Sequence, residues 1–259
     1  MAKISVYIVT YNEERKIQAA LESVAWADEI VVADSESADQ TVAIAERYGA
    51  RVVQIPFEGF GKLRNRAVEA CAHEWIFSLD ADERCTDQVR EEIKGIVSDP
   101  NALDAYFVPR RNFFLGRWIR HSGWYPDYRQ PQLFRNGALR YREDLVHEGF
   151  STTPKIGYLK HAIWQFPFQD LAEVIVKMQR YSTLGAEELA AEGVRGSMGK
   201  AFLHGCVAFV RLYIIKRGFL DGWAGFAIAL GNFEGTFYRY AKLAAMQNGW
   251  NIPPMKGDG

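Results

Sequence analysis

Only three cysteines stand in the 259 residues, at 71, 85 and 206, and no two of them are spaced as CxxC. So sparse and odd a set offers neither a disulfide framework nor a zinc ribbon, and it suits a reducing cytoplasm. Charge of one sign is missing too: 31 Lys and Arg stand against 32 Asp and Glu, a net charge of −1, so no global positive field recruits nucleic acid. No GxGxxG follows any early apolar run, and where a nucleotidyltransferase carries a Gly-rich phosphate loop this chain reads "TYNEERK". A dinucleotide-binding dehydrogenase is excluded on that ground and a nucleotidyltransferase disfavoured. The stretch "MAKISVYIVTYNEE" has no basic start, long apolar run or small-residue cleavage site, and reads as a first strand rather than a signal peptide. Repeats and low-complexity segments are absent as well.

What is present is apolar: 48% of the residues are hydrophobic and 14% aromatic, enough for a large core. Over the first hundred residues, short β-rich runs alternate with amphipathic patterns. "ISVYIVT" precedes "EERKIQAALESV", "EIVVADS" precedes "DQTVAIAERYG", "RVVQIP" precedes "KLRNRAVEACA", and "EWIFSLD" precedes "TDQVREEIKGIV". Strands this apolar, each followed by a helix, predict an α/β fold with a parallel sheet covered on both faces. Such sheets bind ligands at the carboxyl ends of their strands, where "TYNEE", "ADSES" and "DADE" all fall. From Asp104 shorter aromatic segments predict antiparallel strands and loops added to that sheet.

Helical periodicity returns near Leu171, and the region 201–245 is strongly apolar, with Arg211, Lys216, Arg217, Arg239 and Lys242 among its aromatics. Its uninterrupted apolar runs fall short of the roughly 18 to 20 residues of a spanning helix. Two readings stand: a helix lying in the membrane interface, and a helical hairpin packed on the rest of the protein or on another subunit.

In "SLDADE" alternate residues point the same way, so Asp80 and Asp82 can face one spot beyond the strand end. Two close carboxylates are costly unless neutralised, and a hard cation such as Mg²⁺ or Mn²⁺ would do so. The plainer alternative is that Asp82 or Glu83 caps the helix beginning near Thr86.

The order "VTYNEE", "VVADSESADQT", "GFGKLRNRA" and "WIFSLDADE" resembles the family 2 glycosyltransferases, and with "PQLFRN", "LVHEGF" and "GFLDGWAGFAIA" the likeness is to the lipopolysaccharide core β-glucosyltransferases. The resemblance implies a GT-A fold, a Rossmann-like nucleotide-binding mixed sheet with helices on both faces, followed by a C-terminal helical region. It implies a catalytic domain over 1–165, nucleotide-sugar half 1–100 and acceptor half 101–165, then a helical, membrane-associating region over 166–259. The implied reaction is inverting transfer of a hexose, glucose first, from a UDP-sugar to a lipid-linked saccharide such as the lipopolysaccharide inner core. The enzyme would need Mn²⁺ or Mg²⁺ and work in the cytoplasm, peripheral on the inner face of the membrane through 201–245, with room for a homo-oligomer. Other readings are a transferase for another polyprenyl-linked or capsule glycan, and a non-catalytic sugar-binding membrane scaffold.

Carried over residue by residue, the resemblance assigns Thr10, Tyr11, Glu13 and Asp34 to the uracil and ribose, with Asn12, Ser37 and Asp39 read as helix caps. Glu36 stands where relatives often carry Gly. Lys62 and Arg64 face the base or diphosphate, or are ordinary solvated helix charges; Asp80 and Ala81 meet the nucleoside, and Asp82 ligates the metal. The acid pair many members carry about a hundred residues later is missing, and "REDLVHEGF" is the nearest substitute. Glu148 is the first candidate for general base, with Asp127 and Asp144 as alternatives. His147 is assigned to the metal, or else to a packed loop, and His161 to structure before metal. Gln132, Arg135 and Trp124 would meet the acceptor, and "RRNFFLGRWIRHSGWYP" would be a loop offering aromatics and arginines to a phosphorylated glycolipid, or a lid over the donor.

Overall fold

The computed structural model describes residues 2–143, 149–152 and 155–250. The first half carries β1 (Ile4–Thr10), α1 (Ile17–Val24), β2 (Glu29–Asp34), α2 (Thr41–Arg47), β3 (Arg51–Gln54), α3 (Phe60–Ala70) and β4 (Trp75–Asp80). A two-residue β5 (Glu83–Arg84) then leads into α4 (Asp87–Ser98). Strands β1 to β4 pair in the order β4-β1-β2-β3, all parallel. Parallel neighbours need crossovers, which α1, α2 and α3 supply in turn.

Alternation along β1 decides the layers. Ile4, Val6 and Ile8 join a core with Leu21 and Val24 of α1 and Val89 and Ile93 of α4. Tyr7 and Val9 join a second core, with Leu63 and Ala67 of α3. With helices on both faces every residue of β1 is buried, which is why the strand reads as an unbroken apolar run. Trp75 and Phe77 of β4 are fully buried, each contributing about 1.5–3 kcal/mol by area.

The chain continues through β6 (Ala105–Phe107), β7 (Arg110–Phe114), β8 (Arg117–Trp118), β9 (Pro131–Arg135), β10 (Leu139–Tyr141), β11 (Phe150–Thr152), β12 (Gly157–Tyr158) and β13 (Ile163–Phe168). The main sheet has the order β12-β6-β9-β4-β1-β2-β3. Antiparallel additions are expected from the sequence here, but among the described strands of this sheet only β9 reverses. It lies between β4 and β6, antiparallel to both, so β6 and its neighbour β12 run parallel to β4.

Residues 1–112 with 126–167 form one compact unit, and residues 113–125 with those from 168 onward form another. The second unit holds α5 (Leu171–Ala191) and α6 (Met198–Val210), the latter continuing through a π-helical turn, Arg211–Ile215. A 3₁₀ turn, Gly218–Asp221, leads into α7 (Trp223–Asn248). Asp170 and Ser197 cap α5 and α6 by accepting from the backbone N–H groups of Glu173 and Lys200. Met198–Ile215 is the one helix among the described residues long and apolar enough to cross a membrane, 18 residues at mean hydropathy 1.4. It reaches that length by including Lys200 and Arg211, which interrupt the apolar runs of the sequence.

The segment expected as a loop or lid is a hairpin within this second unit. Leu115 and Gly116 both take positive φ, 47° and 82°, as a two-residue turn matching strand twist requires, and Phe114 pairs with Arg117 across it. Beyond the hairpin, buried Asp221 accepts from the backbone N–H groups of Arg120 and His121 at 3.1 and 3.0 Å. Phe114, Ile119, Ala224 and Ile228 form the local core, and Trp124 meets Phe114 edge-on at 6.2 Å.

Candidate active site

Register places three loops at one edge. Thr10 ends β1 opposite Asp34 of β2, and Val9 lies opposite Asp80 of β4. Strands sit about 4.8 Å apart, so the "TYNEE", "DSES" and "DADE" loops adjoin. Asp34 is fully buried: Oδ1 accepts from the hydroxyls of Thr10 and Ser37 at 3.0 and 2.5 Å, and Oδ2 from the Ser37 N–H at 2.9 Å. Asn12 donates its N–H to Ser37 Oγ and accepts from the Ala38 N–H, both at 2.8 Å. Asp39 accepts from the N–H and hydroxyl of Thr41. The helix caps expected of Asn12 and Ser37 are not formed, since the residues before α1 and α2 are Lys16 and Gln40 with no side-chain cap, whereas Asp39 holds the first N–H of α2 and also accepts from the Glu14 N–H. These three residues tie the loops to one another. Tyr11 projects into solvent, 57% exposed, and Glu13 faces Lys16 at 3.5 Å.

Glu36 occupies its glycine-like position in the left-handed region, φ 62°, with an exposed side chain. That conformation costs a side-chain-bearing residue about 1 kcal/mol. Glu36→Gly should therefore hold or raise the unfolding temperature, whereas Glu36→Val should lower stability by about 1–2 kcal/mol in a denaturant titration.

The loop after β4 is braced from beneath. Glu83 is fully buried: Oε1 accepts from Arg110 Nε at 2.5 Å, and Oε2 from Gln132 Nε2 at 3.0 Å and from the Asp80 N–H at 2.9 Å. Glu83 thus supports the loop, and the cap of α4 is Thr86, which accepts from the Val89 N–H at 3.3 Å. Above this brace the two aspartates differ. Burial pushes the Asp80 carboxyl up, but the guanidinium groups of Arg64, 2.9 Å away, and Arg110 outweigh it and hold it below the usual range. Burial and then the charge of Asp80 push Asp82 up, and its partner Gln165 Nε2 sits at 3.3 Å from both oxygens. No group of three or more His, Cys, Asp or Glu side chains among the described residues has metal-ligating geometry. The pair therefore fits a hard divalent cation only as an open site completed by phosphate oxygens and water, with Asp82 the carboxylate short of positive charge.

Beside Asp80 opens a cleft of about 880 Å³, reached by Lys62, Arg64, Arg110, Arg129 and Arg142. Gly61, in the first turn of α3, lets this wall close: a Cβ there would stand 1.8 Å from the Arg142 carbonyl oxygen. Gly61→Ala should displace that backbone and lower turnover about 100-fold, since misplacement near 1 Å carries such a cost; steady-state rates of the variant measure it. Arg142 donates its N–H to the Gly149 carbonyl at 2.8 Å. Asp144, His147 and Glu148 fall between these two cleft-lining residues in sequence and lie outside the described residues.

The model of glycosyl transferase family 2 matches residues 5–166. The chain belongs to that family. The lipopolysaccharide core biosynthesis glycosyltransferase LpsC of Rhizobium meliloti is 29% identical over 251 residues, 93% of this chain and 91% of its own. A glycosyltransferase of Rickettsia felis is 29% identical over 258 residues, 94% and 90% of the two chains. Among solved structures, TarS 1-349 of Staphylococcus aureus in complex with UDP-GlcNAc matches at a TM-score of 0.51 and 17% identity over 95% of this chain and 92% of that one, a shared fold. The architecture is thus GT-A, with C-terminal helices.

Not every residue picked from the sequence reaches this transferase's cleft. Lys62, Arg64 and Asp80 line it; Lys62 also lies 3.3 Å from Glu58, and Ala81 is buried beside Asp80. Gln132 is buried beneath it, donating to Glu83 and to the Ser78 carbonyl. Arg135 pairs with Trp75 at the start of β4, about 16 Å along the strand from Asp80, and binds Glu74 and Asp104 there. Asp127 holds Arg129 in a fork, at 2.8 and 3.3 Å, and accepts from Asn112. Trp124 belongs to the second unit's aromatic core. His161 sits on Glu92 of α4, Nδ1 at 2.8 Å.

Sequence reading missed Arg129 and Tyr141, and the pairing of Glu83 with Arg110. Tyr141 shares a hydroxyl–hydroxyl hydrogen bond of 2.9 Å with Tyr7, beneath the Arg64 guanidinium. Arg110 reads as a free phosphate ligand, yet the alternation of β7 puts Arg110, Asn112 and Phe114 on its inner face, which is the signal that marks it as buried.

Proposed function

We propose that the protein is an inverting transferase that moves a hexose, glucose first, from a UDP-sugar to a lipid-linked saccharide such as the lipopolysaccharide inner core. The observation that carries this reading is Asp80 at the end of β4, which lines a guanidinium-rich cleft and is followed two residues on by Asp82. The family, the relative LpsC and the UDP-GlcNAc complex of TarS support it. Thr10, Tyr11, Glu13 and Asp34 would frame the uridine; Lys62 and Arg64 would meet the diphosphate, Arg64 preorganised by its bonds to Ser78 and Asp80. Asp82, with His147, would hold Mn²⁺ or Mg²⁺, which supplies neutralising charge for the departing diphosphate.

An acceptor hydroxyl attacking the anomeric carbon must lose its proton to a carboxylate on the far side, and one such displacement inverts configuration. Glu148 is the base in this reading. Asp127 is less apt because Arg129 and Asn112 already occupy its oxygens. Asp144 stays the second candidate. The acceptor's lipid would place the enzyme on the inner face of the cytoplasmic membrane. A donor screen by UDP release, with Mn²⁺ or Mg²⁺ and a heptose-bearing lipid core, should give turnover with UDP-glucose; silence with every donor would leave only a sugar-binding scaffold. In the active system Glu148→Gln should lower kcat at least about 100-fold with an unchanged Kd for the donor, and near-normal turnover would remove Glu148 as base.

A further inference from the structure

The helices of the second unit are turned inside out by the standard of a water-soluble bundle. Where α6 meets α7, Ala201 and Gly205 of α6 and Ala224, Gly225 and Ala229 of α7 are buried, a Cβ on Gly205 would touch Phe233 at 3.0 Å, and Phe202 and Phe209 meet Phe233 and Phe226 edge-on at the margin. Leu203, Val207, Val210 and Ile214 recur at i, i+4, i+7 and i+11 and are 46–61% exposed. On the other side of the turn Phe219, Trp223, Phe226 and Leu230 repeat the pattern, 39–56% exposed. A water-soluble amphipathic helix points that stripe at its core, and small residues between helices with bulky ones outward are the habit of helices that face lipid.

Charge marks the rim of this face. Along 117–123 and 211–223, Arg117, Arg120, Arg211, Lys216 and Arg217 stand against one acid, Asp221, and that acid is turned inward to hold the backbone of Arg120 and His121. Ser122 donates its N–H to the Lys216 carbonyl at 2.9 Å, so the hairpin loop and the α6–α7 turn form one surface. Lys216 Nζ lies over Gly123, and Arg117 over Gly222. Between them a pocket of about 340 Å³ is lined by Arg117, Trp118, Arg120, His121, Leu220 and Asp221. Arg120 covers the Trp118 ring at 4.4 Å, so cation and aromatic share one exposed edge, the pairing expected at the headgroup level.

We infer that this face beds in the interfacial layer of an anionic bilayer, its apolar stripes among the acyl chains and Arg117, Arg120, Lys216 and Arg217 on lipid phosphates. It gives the lipid-linked acceptor proposed above a surface to be met on, and it rests on that reading for its purpose alone. The hairpin 113–123, expected to offer aromatics and arginines to a phosphorylated glycolipid or else to cover the donor, becomes part of the membrane contact.

Sedimentation of the full chain with phosphatidylcholine vesicles, with and without phosphatidylglycerol, tests it without any sugar donor, so a failed donor screen and a failed membrane contact stay distinguishable. Binding should need phosphatidylglycerol and fall with salt. Each basic residue at such a surface is worth about fivefold, so Arg117→Gln with Lys216→Gln should weaken binding about 25-fold. Ile214→Ser with Trp223→Ser should weaken it further, and unchanged thermal unfolding would show these surface variants to be folded. Equal sedimentation of parent and variants would overturn the inference. So would retention after alkaline carbonate, which marks a spanning helix, or a lipid-free dimer that Ile214→Ser with Trp223→Ser makes monomeric.

Discussion

Asp82→Asn should lower kcat of sugar transfer about 1,000-fold or more while leaving the unfolding temperature unchanged or raised. The first half follows from the proposed role: several kcal/mol of leaving-group stabilisation depend on the cation that this carboxylate would hold. The second half follows from its surroundings. Thr86, not Asp82, caps α4, so the fold draws no helix start from this side chain. Burial and the neighbouring charge of Asp80 push its carboxyl up. A carboxyl raised on folding binds its proton more tightly in the folded state, so stability is lost as pH climbs from the unfolded value through the folded one. Above the unfolded value the Asp82 carboxyl therefore weakens the fold, and an amide of the same shape removes that cost.

Asp80→Asn supplies the contrast. Its carboxyl is held low by Arg64 and Arg110, so the charge stabilises the folded state above the unfolded pKa and that stability is lost as pH falls through the lower folded value. Neutralising it should lower the unfolding temperature as well as turnover. Rates of UDP release and thermal scans on both variants read out the difference. Near-normal rates for Asp82→Asn would sink the metal assignment, and a large fall in its unfolding temperature would make Asp82 a structural residue.

The sheet was legible because its physics is local. An all-buried parallel strand must be apolar throughout, and β1 to β4 announce themselves that way. Their order along one edge also located Asp80 and Asp82, since the carboxyl end of a parallel strand is fixed once its helix follows it. Antiparallel pairing was legible in the second half as well, since β9 reverses as the aromatic, turn-punctuated run "PQLFR" suggested. Its partners were not, because pairing is long-range, and its place beside β4 carries Arg135 to the opposite end of that strand. Long-range polar pairs were equally hidden. Asn12 reads as a cap because caps are local and common, whereas its bonds to Ser37 and Ala38 span 25 and 26 residues.

The pair beneath the site is the sharpest case, and Arg110→Met should lower stability by about 3–5 kcal/mol, a fall of roughly 6–20 °C in unfolding temperature. Removing the guanidinium leaves Glu83 fully buried, between Gln132 and the Asp80 N–H, with no cation against it. Its carboxyl is already pushed up by burial even with Arg110 in place, and Asp80 and Asp82 add repulsion. Adding Glu83→Gln to Arg110→Met removes the stranded charge, so the double variant should recover most of the loss, because a buried ion pair is worth little against neutral groups of similar shape. Turnover should not recover with it. Arg110 lines the cleft and its charge helps hold the Asp80 carboxyl low, and neither is restored by an amide at 83, which keeps only one acceptor for the Asp80 N–H. A double variant that is stable but slow would make the Glu83–Arg110 pair serve the geometry and charge of the aspartates above it; full recovery of kcat would reduce the pair to packing.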